Sequence, residues 1–262
     1  MRKQFFTVGT ILIVPANIIN IMSKINELQE IIDSSDNIVF FGGAGVSTES
    51  GIPDFRSESG IFKSLEKYGD TPENLISHSY YLDHTEEFFD YYRDTLVFAD
   101  AEPIPAHLKL AEVEKAGKLK AVITQNIDSL HQKAGSNEVL ELHGSIHRNY
   151  CQICNKSYGL DHILESDGIP RCDCGGIVKP DVVLYEEPLN NAVLSFAIDY
   201  ISQADTLIIG GTSLVVYPAA GLVNYFNGDN LVLVNKSETP YDDVASLVIN
   251  EAIGKTFSQI KI

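Results

Sequence analysis

Asn37 to Arg56 reads NIVFFGGAGVSTESGIPDFR, and the reading of this stretch decides the fold. Ile38 to Phe41 is a continuous apolar, β-favouring run that stops at Gly42 and Gly43, and small or hydroxyl-bearing residues follow where a helix can start. The pattern predicts a buried strand, a tight turn and a helix N-terminus. Glycines let a backbone approach a ligand closely, and the unpaired N–H groups at a helix start attract phosphate, so a pyrophosphate suits this turn. The spacing of Gly43, Gly45 and Gly51 is looser than the usual dinucleotide fingerprint, which by itself leaves open a glycine turn with no ligand.

The continuation narrows the choice. Ile52-Pro53-Asp54-Phe55-Arg56 adds an apolar residue, a rigid proline, a carboxylate, an aromatic ring and a guanidinium, a set that a simple turn does not need. GAGVSTESGIPDFR resembles the signature of the sirtuins, the NAD-consuming protein deacylases.

The chain has 262 residues, enough for one large domain or a large domain with a small insertion, and its 44% hydrophobic content supports a substantial core. A formal charge of −17 and a pI near 4.7 argue against a binder of nucleic-acid backbones, which are held by Lys and Arg, and favour basic partners. No direct nucleic-acid binding is expected. Four cysteines are too few for a disulfide scaffold in a chain of this length.

Residues 1 to 21 read differently from the rest. Arg2-Lys3 and the apolar run after it resemble a signal peptide, but Pro15 and Asn17 interrupt the run, no A-x-A site follows, and it is too short to span a membrane. The preferred reading is an extension outside the fold, with the domain beginning at Met22. Ser23 would cap an amphipathic helix carrying Ile25, Leu28, Ile31 and Ile32. A reducing, cytoplasmic setting follows from that choice, since thiolate and NAD sites suit such an interior.

Glu58 to Ser79 is polar, with Gly60, Gly69 and Pro72, and predicts short helices in a mobile segment able to close over a cofactor. Tyr81, Phe88, Phe89, Tyr92 and Phe98 recur at helical spacing and predict packing core. A helix from Pro105 to Glu114 and a buried strand from Leu119 to Ile123 come next. That strand delivers Thr124-Gln125-Asn126-Ile127-Asp128 to its carboxyl end, where open α/β sheets bind ligands. Asp128 alone could also be a helix N-cap. TQNIDSLHQKAG resembles a second sirtuin signature. After a short strand, Val139 to Leu140, stands Glu141-Leu142-His143-Gly144-Ser145. In sirtuins the histidine of the matching L-H-G is the general base, whereas His131 and His147 match no catalytic position and read as structural or solvated.

Cys151 to Cys174 has the form C-x2-C-x17-C-x-C. Two cysteine pairs across a loop of this size predict one tetrahedral structural Zn2+ held by Cys151, Cys154, Cys172 and Cys174, against the bland alternative of four incidental thiols. Sirtuins usually write the second pair C-x2-C, so Cys172-Asp173-Cys174 departs from the pattern. The α/β alternation then resumes: a strand Val182 to Tyr185, a helix Leu189 to Ser202, a strand Thr206 to Ile209, a helix opening at Pro218 and a strand Leu231 to Val234.

The alternation predicts an α/β fold with a mostly parallel sheet covered on both faces, and the resemblance specifies a Rossmann-type domain spanning residues 22–262 with a small zinc module inserted at about 146–179. It further implies residue roles. Ala44, Thr48 and Arg56 would hold the pyrophosphate side of NAD, Gln125 the nicotinamide ribose, and Ile127 and Asp128 the nicotinamide pocket, with Asn126 orienting the ring and Phe55 shielding the reaction. GGTSLVVYPAA and the V-N-K-S-E-T-P run also resemble sirtuins, and Thr212, Ser213, Asn235, Lys236, Ala252 and Ile253 would meet the adenosine. Val183 and Tyr185 would contact the substrate peptide, although the family's F-G-E is Tyr185-Glu186-Glu187 here. The implied activity is removal of acetyl groups from protein lysines, with His143 and Asn126 catalytic and no membrane partner. NAD glycohydrolysis, ADP-ribosyl transfer and non-catalytic NAD sensing are the other classes kept open. Sirtuins that take acidic acyl groups carry a Tyr-x-x-Arg pair, and the matching positions are Phe89 and Tyr92. Arg93, about 100° around the helix from Tyr92, is expected to miss the pocket.

Overall fold

The computed structural model describes residues 16–54 and 57–262. The strands in chain order are β1 (Ile38–Gly42), β2 (Leu119–Thr124), β3 (Val139–Glu141), β4 (Gly144–Cys151), β5 (Ser157–Tyr158), β6 (Val178–Val182), β7 (Thr206–Gly210), β8 (Asn230–Val234) and β9 (Leu247–Ile249). The first three and last three form one sheet of order β3-β2-β1-β7-β8-β9, and every pairing in it is parallel. The middle three form a separate antiparallel sheet of order β5-β4-β6.

Strand β1 is buried at all five positions, as a central strand covered on both faces must be. Successive side chains alternate between faces, so Ile38 and Phe40 join one core while Val39 and Phe41 join the other. Full burial of each phenylalanine contributes about 2–3 kcal/mol, and β1 thereby fastens both layers of helices to the sheet. The first core is closed by the helices Ala16–Ser34, Pro105–Lys115 and Ile253–Phe257, and the second by the helix Asn191–Gln203 and the 3-10 segment Ala219–Tyr225. The chain leaves β1 toward the first face and β7 toward the second. A crevice therefore opens beyond the carboxyl ends of these two neighbours, where doubly wound sheets bind nucleotides.

Several expectations need correcting. The turn after β1 runs not into an α-helix but into two 3-10 turns, Ala44–Val46 and Thr48–Ser50, ended by Gly51 at φ 86°. Gly45 donates to the Gly211 carbonyl at 2.7 Å, and a β-carbon on it would lie 2.8 Å from that oxygen, so packing against the β7 loop shapes this segment. The first helix starts at Ala16, not at Ser23, because the stripe Ile25, Leu28, Ile32 continues upstream through Ile21, which packs on the first core. Residues 16–21 therefore extend that helix, while the reading of residues 1–15 lies outside the described residues. The strand expected over 182–185 ends at Val182 and contains Pro180, which is tolerated because β6 is an edge strand. Strand β9 was not foreseen, since three residues carry too little periodicity to stand out.

The aromatic stripe does form core, but not against the main sheet. Tyr81, Phe88, Phe89 and Tyr92 pack with Cys151, Cys172, Val178 and Val182, so the helices His78–Asp83 and Thr85–Thr95 belong to the cysteine module. Edge-to-face ring pairs, Tyr81 on Phe88 at 5.0 Å and Phe88 on Phe89 at 5.3 Å, fill that interface. Its antiparallel sheet starts at Gly144 and ends at Val182, wider than the expected 146–179. Phe98 leaves the stripe and lines the cleft described below.

Behind the sheet, His107 and His131 are 0% and 1% exposed with ring centroids 4.7 Å apart. The Ile104 N–H donates to His107 Nδ1. Burial holds His107 down to about 4, and burial, with His107 nearby, holds His131 well below the usual imidazole range. Both folded-state values lie below the unfolded value, so the unfolded chain binds more protons at acid pH. The stabilisation is complete above about pH 6.5 and is lost progressively as pH falls through 4. His107 alone should cost about 3 kcal/mol over that window. In denaturant titrations from pH 7 to 4, His131→Leu should flatten the fall of unfolding free energy by about one proton's worth of slope. An unchanged slope would contradict the neutral buried pair.

Candidate functional site

The site is assembled where β1, β2 and β3 end. The Gln125 N–H donates to the Gly42 carbonyl at 3.0 Å, continuing the β1–β2 ladder by one step. Thr124 Oγ1 then accepts from the Asn126 N–H and turns the chain out of the sheet. Gln125 is buried, and its Nε2 donates to Thr212 Oγ1 at 3.2 Å, which spans the crevice from the β2 loop to the β7 loop.

Asn126, Ser47 and Asp128 form a relay. Asn126 Nδ2 donates to Ser47 Oγ at 3.0 Å, and that hydroxyl donates to Asp128 Oδ2 at 2.6 Å. Asp128 Oδ1 accepts from the Leu130 N–H at 2.9 Å, so the residue serves the start of the helix Leu130–Ala134 and the cleft at once. Burial pushes the Asp128 carboxyl above the usual carboxylate range, and the bonds from Ser47 and Leu130 pull it back. Ser47, 1% exposed, is the centre of this relay and was missed. Its only signal was a hydroxyl in a run that holds two others, Thr48 and Ser50.

His143 Nδ1 lies 2.9 Å from the Gln125 carbonyl oxygen. A carbonyl can only accept, so Nδ1 carries the proton and Nε2 is the basic nitrogen. Gly144 must be glycine: its φ is 78°, and a β-carbon there would sit 1.8 Å from the Asp181 carbonyl oxygen. The His143 carbonyl accepts from the Val183 N–H at 3.0 Å, and Tyr185 exchanges backbone bonds with Ile76 and His78. Residues 183–185 are thus an extended segment stretched between the two parts of the molecule.

Ala44, Gln125, Asn126, Ile127, Asp128, His143, Val183 and Tyr185 line one cleft. Thr48, Thr212 and Ser213, Asn235 and Lys236, and Ala252 follow the ends of β1, β7, β8 and β9 in turn, along the same rim of the sheet. Ile253 turns its side chain into the core over Gly210, leaving only its backbone to the rim. Phe55 and Arg56 lie outside the described residues. Glu49 was also missed; its Oε2 accepts from the Gly254 N–H and ties the last helix to the glycine turn.

The four cysteines are free thiols whose sulfurs all lie within 4.8 Å of one another. Cys151 and Cys174 are 3.4 Å apart, Cys154 and Cys174 3.5 Å, and Cys154 and Cys172 3.6 Å. A tetrahedral ion with metal–sulfur bonds of about 2.3 Å needs sulfur separations of roughly 3.8 Å, so the set can hold a metal with little movement. The Ile153 N–H donates to Cys151 Sγ, and the backbone N–H of Cys174 heads the causes that hold the Cys172 thiol down to about 6. Cys174 reaches both partners of the first pair, so its shorter spacing leaves the set closed.

The Sir2 family model matches residues 43–218. The chain belongs to the Sir2 family. It is 62% identical over 239 residues to the NAD-dependent protein deacetylase of Clostridium perfringens, covering 90% of this chain and 98% of that one. It is 57% identical over 242 residues to the protein of the same description from Clostridium acetobutylicum, covering 92% and 99%. A solved structure of a Sir2 with a peptide and NAD+ superimposes with TM-score 0.80 at 39% identity, over 90% of this chain and 96% of that one. Another, of Sir2 bound to acetylated peptide, does so with TM-score 0.78 at 38% identity and the same coverage.

In this Sir2-family chain the helix Thr85–Thr95 turns its aromatic face to the cysteine module. Phe89 and Tyr92 are buried in the cysteine module, and Arg93 donates to the Ile163 and Gly168 carbonyls of that module and pairs with Asp90. No Lys or Arg stands among the described residues that line the cleft. No described helix is long and apolar enough to cross a membrane.

The cysteine cluster predicts one tightly held metal ion per chain. Cys172→Ser, or chelation of the unmodified protein, should destabilise the fold by on the order of 3 kcal/mol or more, read as the loss of unfolding free energy. Protein that is metal-free as purified and melts like the chelated form would contradict this.

Proposed function

We propose that this chain is an NAD-dependent protein lysine deacetylase that converts acetyl-lysine and NAD to lysine, nicotinamide and O-acetyl-ADP-ribose. The observation that carries the reading is the convergence of His143, Asn126 and the Ser47–Asp128 pair on one cleft at the switch point of the sheet. Its far wall is the extended segment 183–185, suited to an extended peptide.

Glycines at 43, 45 and 211 let the loops after β1 and β7 close on each other at the head of the crevice, and Ala44, which lines the cleft, would hold the pyrophosphate there with Thr48 and Arg56. Gln125 would hold the nicotinamide ribose, and Thr212, Ser213, Asn235, Lys236, Ala252 and Ile253 the adenosine half. Bound there, NAD supplies an electron-poor ribose carbon with a neutral leaving group, open to attack by the acetyl oxygen. That oxygen is a weak nucleophile, and alignment in the cleft is what makes it effective. Asp128, beside Ile127, accepts from the nicotinamide carboxamide, and Asn126, fixed by Ser47, orients the ring. His143 Nε2 takes a proton from a ribose hydroxyl, while its Nδ1–H stays on the Gln125 carbonyl and keeps the ring oriented. Phe55 would exclude water and returning nicotinamide.

Val183 and Tyr185 contact the peptide, and the absence of Lys and Arg from the described cleft lining suits a neutral acetyl group. Zn2+ is the metal that four thiolates favour, and a closed tetrahedral set gives it a structural role. Such a site and NAD both suit a reducing cytoplasm. His143→Ala should lower kcat/KM for an acetyl-lysine peptide by at least about 10² while NAD affinity, measured by calorimetry, stays within a few-fold. Near-normal turnover would remove His143 from the chemistry.

A further inference from the structure

Tyr185-Glu186-Glu187 stands at the mouth of the cleft, and the matching sirtuin pattern has glycine in the middle. The backbone still has the shape that favours glycine: Glu186 has φ 75°. A β-carbon in this left-handed region carries a cost that glycine avoids, so the side chain must return something.

What the side chain does is hold its charge in place. Glu186 Oε2 accepts from the Ser79 N–H at 2.9 Å, and Oε1 accepts from the Ser79 hydroxyl at 2.9 Å. Both donors are neutral, so the carboxylate keeps its full charge while losing the freedom of an ordinary surface glutamate. Its neighbour Glu187 differs. That carboxylate is answered by Lys179 Nζ at 3.3 Å, by His78 Nδ1 at 2.8 Å and by the Leu184 N–H. Asp128 also lines the cleft but is half-buried in its floor, bonded to Ser47 and to the Leu130 N–H. Among the described residues, no salt bridge reaches Glu186, and the cleft lining holds no Lys or Arg. The exposed, immobilised carboxylate at the rim is therefore Glu186, in a chain whose net charge of −17 already draws basic partners.

We infer that Glu186 is a specificity residue, selecting protein substrates that carry Lys or Arg close to the acetylated lysine. The inference rests on the deacetylase reading and adds the chemistry of the sequence around the modified residue. Electrostatic complementarity of this kind acts mainly through encounter and register, so it should be felt in kcat/KM and weaken with salt.

The test uses the full-length protein with NAD and two acetyl-lysine peptides, identical except that the flanking positions are Arg in one and Glu in the other. The wild type should prefer the Arg-flanked peptide by about tenfold in kcat/KM at low ionic strength, with the preference shrinking at roughly 0.5 M salt. Glu186→Gln keeps an acceptor for Ser79 but removes the charge, and should cut the preference to about threefold or less. Glu186→Gly should do the same. Equal use of both peptides by the wild type would overturn the inference. So would a preference that survives in Glu186→Gln and is lost only in Glu186→Gly, since the Ser79 bonds rather than the charge would then be responsible. Failure of the wild type to deacetylate either peptide would instead overturn the deacetylase reading, and this inference with it.

Discussion

One contact between two backbones organises the molecule. The Gly45 N–H donates to the Gly211 carbonyl at 2.7 Å, and a β-carbon on either residue would drive it into the other loop. The loops after β1 and β7 can meet this closely only because both are stripped of side chains at that point. Their meeting brings Thr212 within reach of Gln125 and sets Ser47 between Asn126 and Asp128. The cleft is therefore a consequence of how two central strands of a parallel sheet release their chains to opposite faces, with glycines letting the releases touch.

The second constraint joins the two parts of the molecule. Helices from one insertion and the cysteine-bearing strands from another share a core of interlocked aromatic rings, although about fifty residues and two strands of the main sheet separate them in the chain. Metal binding would fix that core from its far side. From it, β6 passes into the 183–185 segment, which bonds to His143 on one flank and to residues 76–78 on the other. His143, the proposed peptide wall and the cysteine module are thus one mechanical unit.

Much of this was legible in the sequence. Ile38 to Phe41 announced a central strand because burial on both faces forbids polar interruptions, and the cysteine spacing announced a closed ligand set because four thiolates need two tight turns. Gln125 to Asp128 and His143 were identifiable by position, each standing just beyond a strand. Ser47 and Glu49 were not, since their importance lies in partners more than 75 residues away, Asp128 and Gly254. The helix expected after Gly43 failed because tertiary contact with Gly211 overrode a local pattern. The aromatic stripe was read correctly as core, yet nothing in its spacing said which core. Ile21 stands one residue ahead of the Met22 boundary on a stripe that simply continues, and a start codon carries no information about where a helix packs.

The central claim is that this cleft couples nicotinamide release to an acyl-lysine held against 183–185. The direct measurement is nicotinamide released per turnover by the purified full-length protein and NAD, with and without an acetyl-lysine peptide. The account predicts release only with the peptide, in a one-to-one ratio with deacetylated product. Release at the same rate without peptide, or tight NAD binding with no release under either condition, would contradict it.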